Sequence, residues 1–145
     1  MRVNTHGDGA DGTKVVLVVD DDADVLRLVE SILADQGYEV VSASGAESAI
    51  QFIESTPRRP DLVLADVVMP GMSGPMLVDQ LLTSDPGLRV LFMSGYDERQ
   101  VVQKYVVERG FRLIPKPFTV KALRTAIKEV LSSAPGGHPK GDPAS

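Results

Sequence analysis

Short apolar segments alternate with amphipathic ones through the middle of the chain. Five of the short segments are rich in β-branched and other apolar residues, the composition of parallel strands that are buried on both faces. We predict five strands, over residues 14–19, 39–43, 62–65, 89–93 and 111–114. This alternation is typical of α/β proteins, in which each strand is followed by a helix.

The segments between the predicted strands have the periodicity of helices. After the first strand, apolar residues recur at the spacing of one helix face, at Val25, Leu28, Val29, Ile32 and Leu33. Gly37 then stands where a glycine commonly ends a helix. Further helices are predicted over residues 46–55, 74–83 and 98–108, and a last one begins after an N-cap at Thr119. Five strand–helix units predict a single parallel sheet with helices on both faces.

The two ends of the chain differ from the middle in composition. Residues 1–13 and 133–145 lack periodic apolar residues, so we predict disordered tails on either side of one domain, residues 14–132. Both histidines lie in these tails, and the chain has no cysteine. Chemistry within the domain must therefore use carboxylates, hydroxyls and lysines.

Net charge and hydropathy narrow the range of partners. The formal net charge is -5, which gives no support to a nucleic-acid groove, because such grooves usually present a basic face. No apolar run approaches the roughly 18 residues that cross a bilayer, and the N-terminus lacks the apolar core of a signal peptide. We expect a cytoplasmic protein that binds neither nucleic acid nor membrane.

Acidic residues follow two of the predicted strands. Asp20, Asp21 and Asp22 come directly after the first strand, and Asp66 follows the third. Ligands of open parallel sheets bind beyond the carboxyl ends of the strands, so these carboxylates are candidates for one site. Close carboxylates repel each other, and a hard divalent cation such as Mg²⁺ is the simplest remedy. Acids after a strand are also typical of a polar helix N-terminus, which is the alternative interpretation.

A lysine follows the fifth predicted strand. Lys116 stands between Pro115 and Pro117, which restrict the backbone and could aim the ammonium group at the acidic cluster. The bond between Lys116 and Pro117 is a candidate cis peptide, because proline makes that isomer accessible. A solvated loop lysine is the alternative interpretation of the same residues.

Four motifs occur in order at the ends of the predicted strands: Val-Val-Asp-Asp (18–21), Asp-Val-Val-Met-Pro-Gly-Met-Ser-Gly (66–74), Phe-Met-Ser-Gly-Tyr (92–96) and Pro-Lys-Pro-Phe (115–118). Together they resemble the response-regulator receiver family of two-component signalling. The likeness is greatest to receivers of hybrid histidine kinases and to free-standing single-domain response regulators. It implies a flavodoxin-like, doubly wound (βα)5 fold with a five-stranded parallel sheet in the order 2-1-3-4-5.

The resemblance also implies a role for each site residue. The chain would be a phosphoacceptor module rather than an enzyme, catalysing only its own phosphorylation and slow autodephosphorylation. Asp66 would accept the phosphoryl group, and Mg²⁺, or Mn²⁺ as a substitute, would assist. The metal would be held by Asp21, Asp66, the backbone carbonyl of Val68 and, through water, Asp20, while Lys116 and Ser94 would bind the phosphoryl group. Asp22 is interpreted as a helix cap.

The implied partners lie on both sides of the phosphorylation step. A histidine kinase or histidine phosphotransfer protein would donate the phosphoryl group. A downstream protein would bind the face formed by the fourth predicted helix, the fifth strand and the last helix. Whether phosphorylation drives dimerisation is left open.

Three pocket residues set this chain apart from many receivers. Leu113 stands where many of them carry Tyr or Phe, so the usual aromatic readout is absent from that position. Gly95 leaves the pocket open beside Ser94, and Tyr96 either replaces part of the readout or shields the pocket mouth. Val68 and Tyr96 are bulky and cannot position an attacking water, so we predict slow autodephosphorylation.

Rival interpretations place the chemistry elsewhere. A haloacid-dehalogenase-type phosphohydrolase would use Asp20 as its nucleophile, but residues 20–24 fit that motif only in part and a cap domain has no room. A phosphorylation-independent receiver-like binding module would have little need of the acidic cluster and Lys116. A dinucleotide-binding domain is excluded, because no Gly-x-Gly-x-x-Gly turn follows the first strand.

Overall fold

A computed structural model of the chain describes residues 2–4, 13–95, 106 and 108–132. Within these residues one sheet contains six strands: β1 Arg2–Asn4, β2 Val15–Val19, β3 Glu39–Ala43, β4 Leu62–Asp66, β5 Arg89–Ser94 and β6 Arg112–Pro115. Their order across the sheet is β1-β3-β2-β4-β5-β6. Strands β2 to β6 are the five predicted strands, parallel to one another and in the predicted order 2-1-3-4-5.

Strand β1 departs from the tail predicted over residues 1–13. It pairs antiparallel with β3, with Arg2 opposite Ser42 and Asn4 opposite Val40. The pairing uses backbone groups at the outer edge of β3, which needs no pattern of apolar side chains, and apolar periodicity therefore gave no sign of it. Residues 5–12 and the predicted tail 133–145 lie outside the described residues. The domain limits 14–132 stay a prediction.

Four helices are described around the sheet: α1 Ala23–Asp35, α2 Ala46–Ser55, α3 Gly74–Ser84 and the C-terminal helix Val120–Leu131. Helices α2 and α3 pack on one face of the sheet, and α1 and the C-terminal helix on the other. The central strands are buried on both faces, as their continuous apolar sequence predicts. Of the helix predicted over residues 98–108, only residues 106 and 108 are described.

The predicted helix ends are confirmed. The side chain of Asp22 accepts a hydrogen bond of 2.9 Å from the N–H of Asp24 at the start of α1. The hydroxyl of Thr119 accepts one of 3.0 Å from the N–H of Ala122. Gly37 follows α1 with φ +92°, the left-handed conformation that favours glycine after a helix. The caps at Asp22 and Thr119 fix where α1 and the C-terminal helix begin, just after β2 and β6.

The buried face of α1 differs from the one that apolar spacing predicts. Leu28 was expected in the core and is 50% exposed, whereas Glu30 is only 3% exposed. Glu30 is tolerated there because it accepts a hydrogen bond from the hydroxyl of Ser42 on β3. Among the described helices, none combines the length and the apolar character needed to span a bilayer.

Candidate functional site

Three carboxylates meet at the carboxyl end of the sheet. Strands β2 and β4 are neighbours, with Val19 opposite Ala65, so the next residues, Asp20 and Asp66, leave the sheet side by side. One carboxylate oxygen from each of Asp20, Asp21 and Asp66 lies within 4.8 Å of the others. The predicted acidic cluster is therefore formed by the fold. Asp22 is directed instead to the cap of α1.

Asp20 is held rigidly within this cluster. Its backbone N–H donates to the carbonyl of Ala43 at 3.2 Å, and its Oδ1 accepts from the N–H of Asp22 at 2.8 Å. Its Oδ2 accepts from the ammonium group of Lys116 at 3.1 Å. The side chain is fully buried, so its orientation is set by these three contacts.

Lys116 joins the acidic cluster from across the sheet. Its Nζ lies 3.1 Å from Oδ2 of Asp20 and 3.3 Å from Oδ1 of Asp66. Its backbone N–H donates to the carbonyl of Ser94 at 2.8 Å, and the bond to Pro117 is cis, the isomer considered from the sequence. The lysine is thus fixed at its backbone and directed at two carboxylates, and the solvated-loop interpretation does not hold.

Burial and charge shift the pKa of two of these groups in the same direction. Burial raises the pKa of Asp20 and outweighs the Asp22 hydrogen bond and the attraction of Lys116, which both lower it. Burial alone would lower the pKa of Lys116, but the negative charges of Asp66 and Asp20 outweigh it and the pKa is raised. The lysine is therefore a firmly held cation, and among the described residues it faces three carboxylates.

The donor set fits a hard divalent cation. All three carboxylates supply oxygen, the ligand type that Mg²⁺ prefers, and within the part of the chain that the structure describes one ammonium group, that of Lys116, lies against them. Asp20 and Asp66 are buried whereas Asp21 is exposed, so the cluster opens to solvent on one side. That opening suits Mg²⁺, which usually keeps several water ligands.

The other predicted site residues that the structure describes lie at the end of β5, on β6 and in the loop after Asp66. Ser94 ends β5 with its side chain buried, and its hydroxyl lies 3.5 Å from the carbonyl of Gly95. Val68 lies two residues beyond Asp66 and is 46% exposed. Leu113 is half-buried and packs with the core on the α2 and α3 face. Tyr96 lies outside the described residues.

An aromatic pair near the site was not predicted from the sequence. Phe92 on β5 and Phe111 before β6 meet edge to face, with ring centroids 5.3 Å apart. The guanidinium of Arg109 lies over the ring of Phe111 and forms an ion pair of 2.7 Å with Asp79 on α3. Alternate residues of a strand point to the same face of the sheet, so Phe111 and Leu113 share a face. This alternation is the feature of the sequence from which the aromatic pair could have been predicted.

The fold is that of a known class of protein. Residues 16–128 match the family model of the response regulator receiver domain, and the chain belongs to that family. Its members are phosphorylated on an aspartate and receive the phosphoryl group from histidine kinases or phosphotransfer proteins.

Relatives of very different length contain this domain. The chain is 35% identical over 120 residues to the sensor kinase CckA of Brucella abortus (strain 2308), covering 83% of this chain and 13% of the kinase. It is 30% identical over 116 residues to sporulation initiation phosphotransferase F of Bacillus subtilis (strain 168), covering 80% and 92%. The crystal structure of the receiver domain of NtrX from Brucella abortus superposes with a TM-score of 0.74 at 31% identity, covering 82% and 99%.

Proposed function

We propose that Asp66 is the phosphoacceptor of this receiver domain. The observation that carries the proposal is the position of its carboxylate, at the end of a central strand, within 4.8 Å of two other carboxylates and 3.3 Å from the ammonium of Lys116. Phosphoryl transfer needs chiefly a positioned nucleophile and positive charge on the equatorial oxygens. Asp66 provides the first, and Lys116 provides part of the second.

Mg²⁺, with Mn²⁺ as a substitute, is the cofactor that we propose for this step. Asp21, Asp66 and the carbonyl of Val68 would hold the ion directly, and Asp20 would hold it through water. When bound, the ion adds positive charge beside the transferring group. The fully buried carboxylate of Asp20 supports this assignment, because its charge is only partly balanced by Lys116.

The reaction itself uses groups of the protein. A carboxylate oxygen of Asp66 forms a bond to phosphorus as the bond between phosphorus and the histidine nitrogen of the donor breaks. Lys116 faces the same carboxylate and would pair with the phosphoryl oxygens. Ser94, buried at the end of the adjoining strand β5, would donate its hydroxyl to the phosphoryl group once it is in place. Apart from slow autodephosphorylation, we expect the chain to catalyse no other reaction.

The proposed signal passes from a phosphohistidine protein to a second partner. The donor is a histidine kinase or a histidine phosphotransfer protein, and the recipient binds the face that includes β6 and the C-terminal helix. Arg112 on β6 and Glu129 on that helix form an ion pair, with 2.6 Å between the guanidinium nitrogen and the carboxylate oxygen. This contact supports treating the two elements as one surface.

The acceptor is tested by incubating the protein with acetyl phosphate and Mg²⁺ and measuring its intact mass. We expect one added phosphoryl group in the wild type and none in Asp66→Asn. Asp22→Asn is the matched control, because it changes an acid of the same rim that only caps α1, and it should be labelled normally. Labelling of Asp66→Asn together with loss of labelling in Asp20→Asn would instead support the phosphohydrolase interpretation.

The lifetime of the phosphorylated state is a separate prediction. Val68 is apolar and cannot orient a water molecule for attack on the acyl phosphate, so we expect slow autodephosphorylation. The wild type is labelled, freed of excess acetyl phosphate, and followed by intact mass in Mg²⁺ buffer. Val68→Asn, which supplies an amide at the same position, should lose its label faster. Complete loss from the wild type within seconds would contradict the prediction.

A further inference from the structure

Val67, the first residue of the loop after Asp66, forms hydrogen bonds through both its backbone N–H and its carbonyl. The N–H of Val67 donates to the carbonyl of Met93 on β5 at 2.9 Å, and the carbonyl of Val67 accepts from the N–H of Gly74 at 2.9 Å. Val67 is itself fully buried. Residues 67–74 therefore leave the sheet and return to it at nearly the same point, and the return is made by the first residue of α3.

Gly74 makes that return because it has no side chain. A Cβ at Gly74 would lie 2.1 Å from the carbonyl oxygen of Asp66, 3.0 Å from its carbonyl carbon and 3.1 Å from Cα of Val67. All three opposing atoms belong to the backbone, so no side-chain rotation could relieve the contact. Either α3 or the backbone of Asp66 would have to move.

The requirement at Gly74 is one of space and not of conformation. The glycines with positive φ in the described residues are Gly37, Gly71 and Gly110, and Gly74 is not among them. Gly37 shows the opposite case, since its φ is +92° and a Cβ there would meet nothing within 4 Å. Glycine is thus required at position 37 by the backbone conformation and at position 74 by the close approach of the Asp66 backbone.

We propose that Gly74 is a positioning residue for the metal and phosphoryl site. By letting the first turn of α3 rest against the backbone of Asp66, it fixes the Asp66 carboxylate and the Val68 carbonyl relative to each other. The inference rests on the proposed Mg²⁺ site and extends it. Gly74 supplies no ligand to the ion, but it would set the positions of two groups that do.

The first test compares Gly74→Ala with Gly37→Ala for Mg²⁺ binding, measured by NMR titration of the unphosphorylated proteins. Gly37→Ala is the matched control, since it strains the backbone at the far end of α1 without adding an atom near Asp66. We expect Gly74→Ala to bind Mg²⁺ about tenfold more weakly, the effect typical of residues that orient metal ligands. Gly37→Ala should bind within about twofold of the wild type, whatever its loss of thermal stability.

The second test needs no variant and holds even if Gly74→Ala fails to fold. Coupling between two sites is reciprocal, so a contact that orients metal ligands must itself be stabilised by the metal. We expect saturating Mg²⁺ to slow hydrogen exchange of the Gly74 amide by about fivefold. The Gly37 amide, which donates to the carbonyl of Ala34 at 3.0 Å, serves as the remote reference and should slow less than the Gly74 amide.

The outcomes separate this inference from the proposed function. Absence of Mg²⁺ binding in the wild type would contradict the metal site itself. Normal wild-type binding with equal affinity in Gly74→Ala would overturn the role of Gly74 alone. So would equal losses in both alanine variants, which would show that affinity follows stability, or a Gly74 amide whose exchange is unchanged by Mg²⁺.

Discussion

Asp20 is a carboxylate held in a position from which water is excluded. Three contacts satisfy its oxygens and backbone, yet burial still raises its pKa above the usual value. The ion pair with Lys116 therefore offsets only part of the cost of removing its charge from water. At neutral pH the metal-free site opposes folding at this residue, which is consistent with a position kept for binding a cation.

This leads to a prediction for Asp20→Asn. Because the pKa of Asp20 is higher in the folded chain, the folded state binds its proton more tightly, and stability falls as pH rises from 3.8 through the folded pKa. The amide does not titrate, so in EDTA near pH 7 we expect the variant to be more stable, on the order of 1 kcal/mol. Urea unfolding at several pH values measures this.

The pH dependence is the distinctive part of that prediction. The advantage of Asp20→Asn should shrink on acidification to about pH 4, because the folded wild-type carboxyl, whose pKa is raised, takes up its proton before the unfolded one does. A variant that is less stable than the wild type near pH 7 would show that the contact with Lys116 outweighs burial.

Individual residues were predictable where their place at a strand end decided their role. The carboxyl ends of parallel strands lie at one edge of the sheet, so the residues that follow them meet there. This rule was enough to predict that Asp20, Asp66 and Lys116 lie together. Glu30 could not, because its burial depends on a hydroxyl of β3 that is distant in sequence. The close approach of Gly74 to Asp66 likewise depends on where α3 lies, which residue spacing along one helix does not reveal.

Strands β5 and β6 are joined by side chains as well as by backbone hydrogen bonds. Phe92 and Phe111 meet edge to face on the side of the sheet that α2 and α3 cover. Two residues after Phe92, strand β5 ends in Ser94, whose carbonyl accepts from the N–H of Lys116. The aromatic pair thus stiffens the two strands immediately before the residues proposed to contact the phosphoryl group.

A double-mutant cycle tests this contact. Edge-to-face aromatic pairs contribute about 0.5–1.5 kcal/mol beyond their buried area, so Phe92→Leu and Phe111→Leu should be coupled by that amount in urea unfolding. Phe52 on α2 lies in the same core and provides a control cycle with Phe111→Leu, expected to be additive within about 0.3 kcal/mol. Equal coupling in both cycles would mean that general core packing, and not the ring contact, links the strands.

Whole elements were predicted well where apolar periodicity specifies them. The bounds of the five parallel strands and of α1, α2, α3 and the C-terminal helix agree with the sequence to within about two residues, the usual uncertainty of element ends. Strand β1 was missed, because three residues that pair through their backbone leave no periodic signal. Leu113 shows a related limit, since the absence of a ring there did not indicate the contact between Phe92 and Phe111.

For the molecule as a whole, metal binding and folding should be linked. A ligand that binds only the folded state raises the free energy of unfolding by about 2.7 kcal/mol at 100 times its Kd. We expect this gain on adding Mg²⁺ to the wild type, measured by urea unfolding at constant ionic strength. Asp21→Asn should show a much smaller gain because it lacks an exposed ligand, and Asp22→Asn should keep it. An equal gain in Asp21→Asn would place the ion elsewhere.

The C-terminal helix runs back along the sheet, away from the end at which Asp66 lies. It begins after β6, at Val120, and ends at Leu131. A domain attached after residue 132 would lie at the opposite edge of the sheet from the carboxylates and would leave them free to meet a donor. This geometry allows the domain to be joined to others without blocking its site. In keeping with this, it matches 92% of the length of one relative and 13% of the length of another.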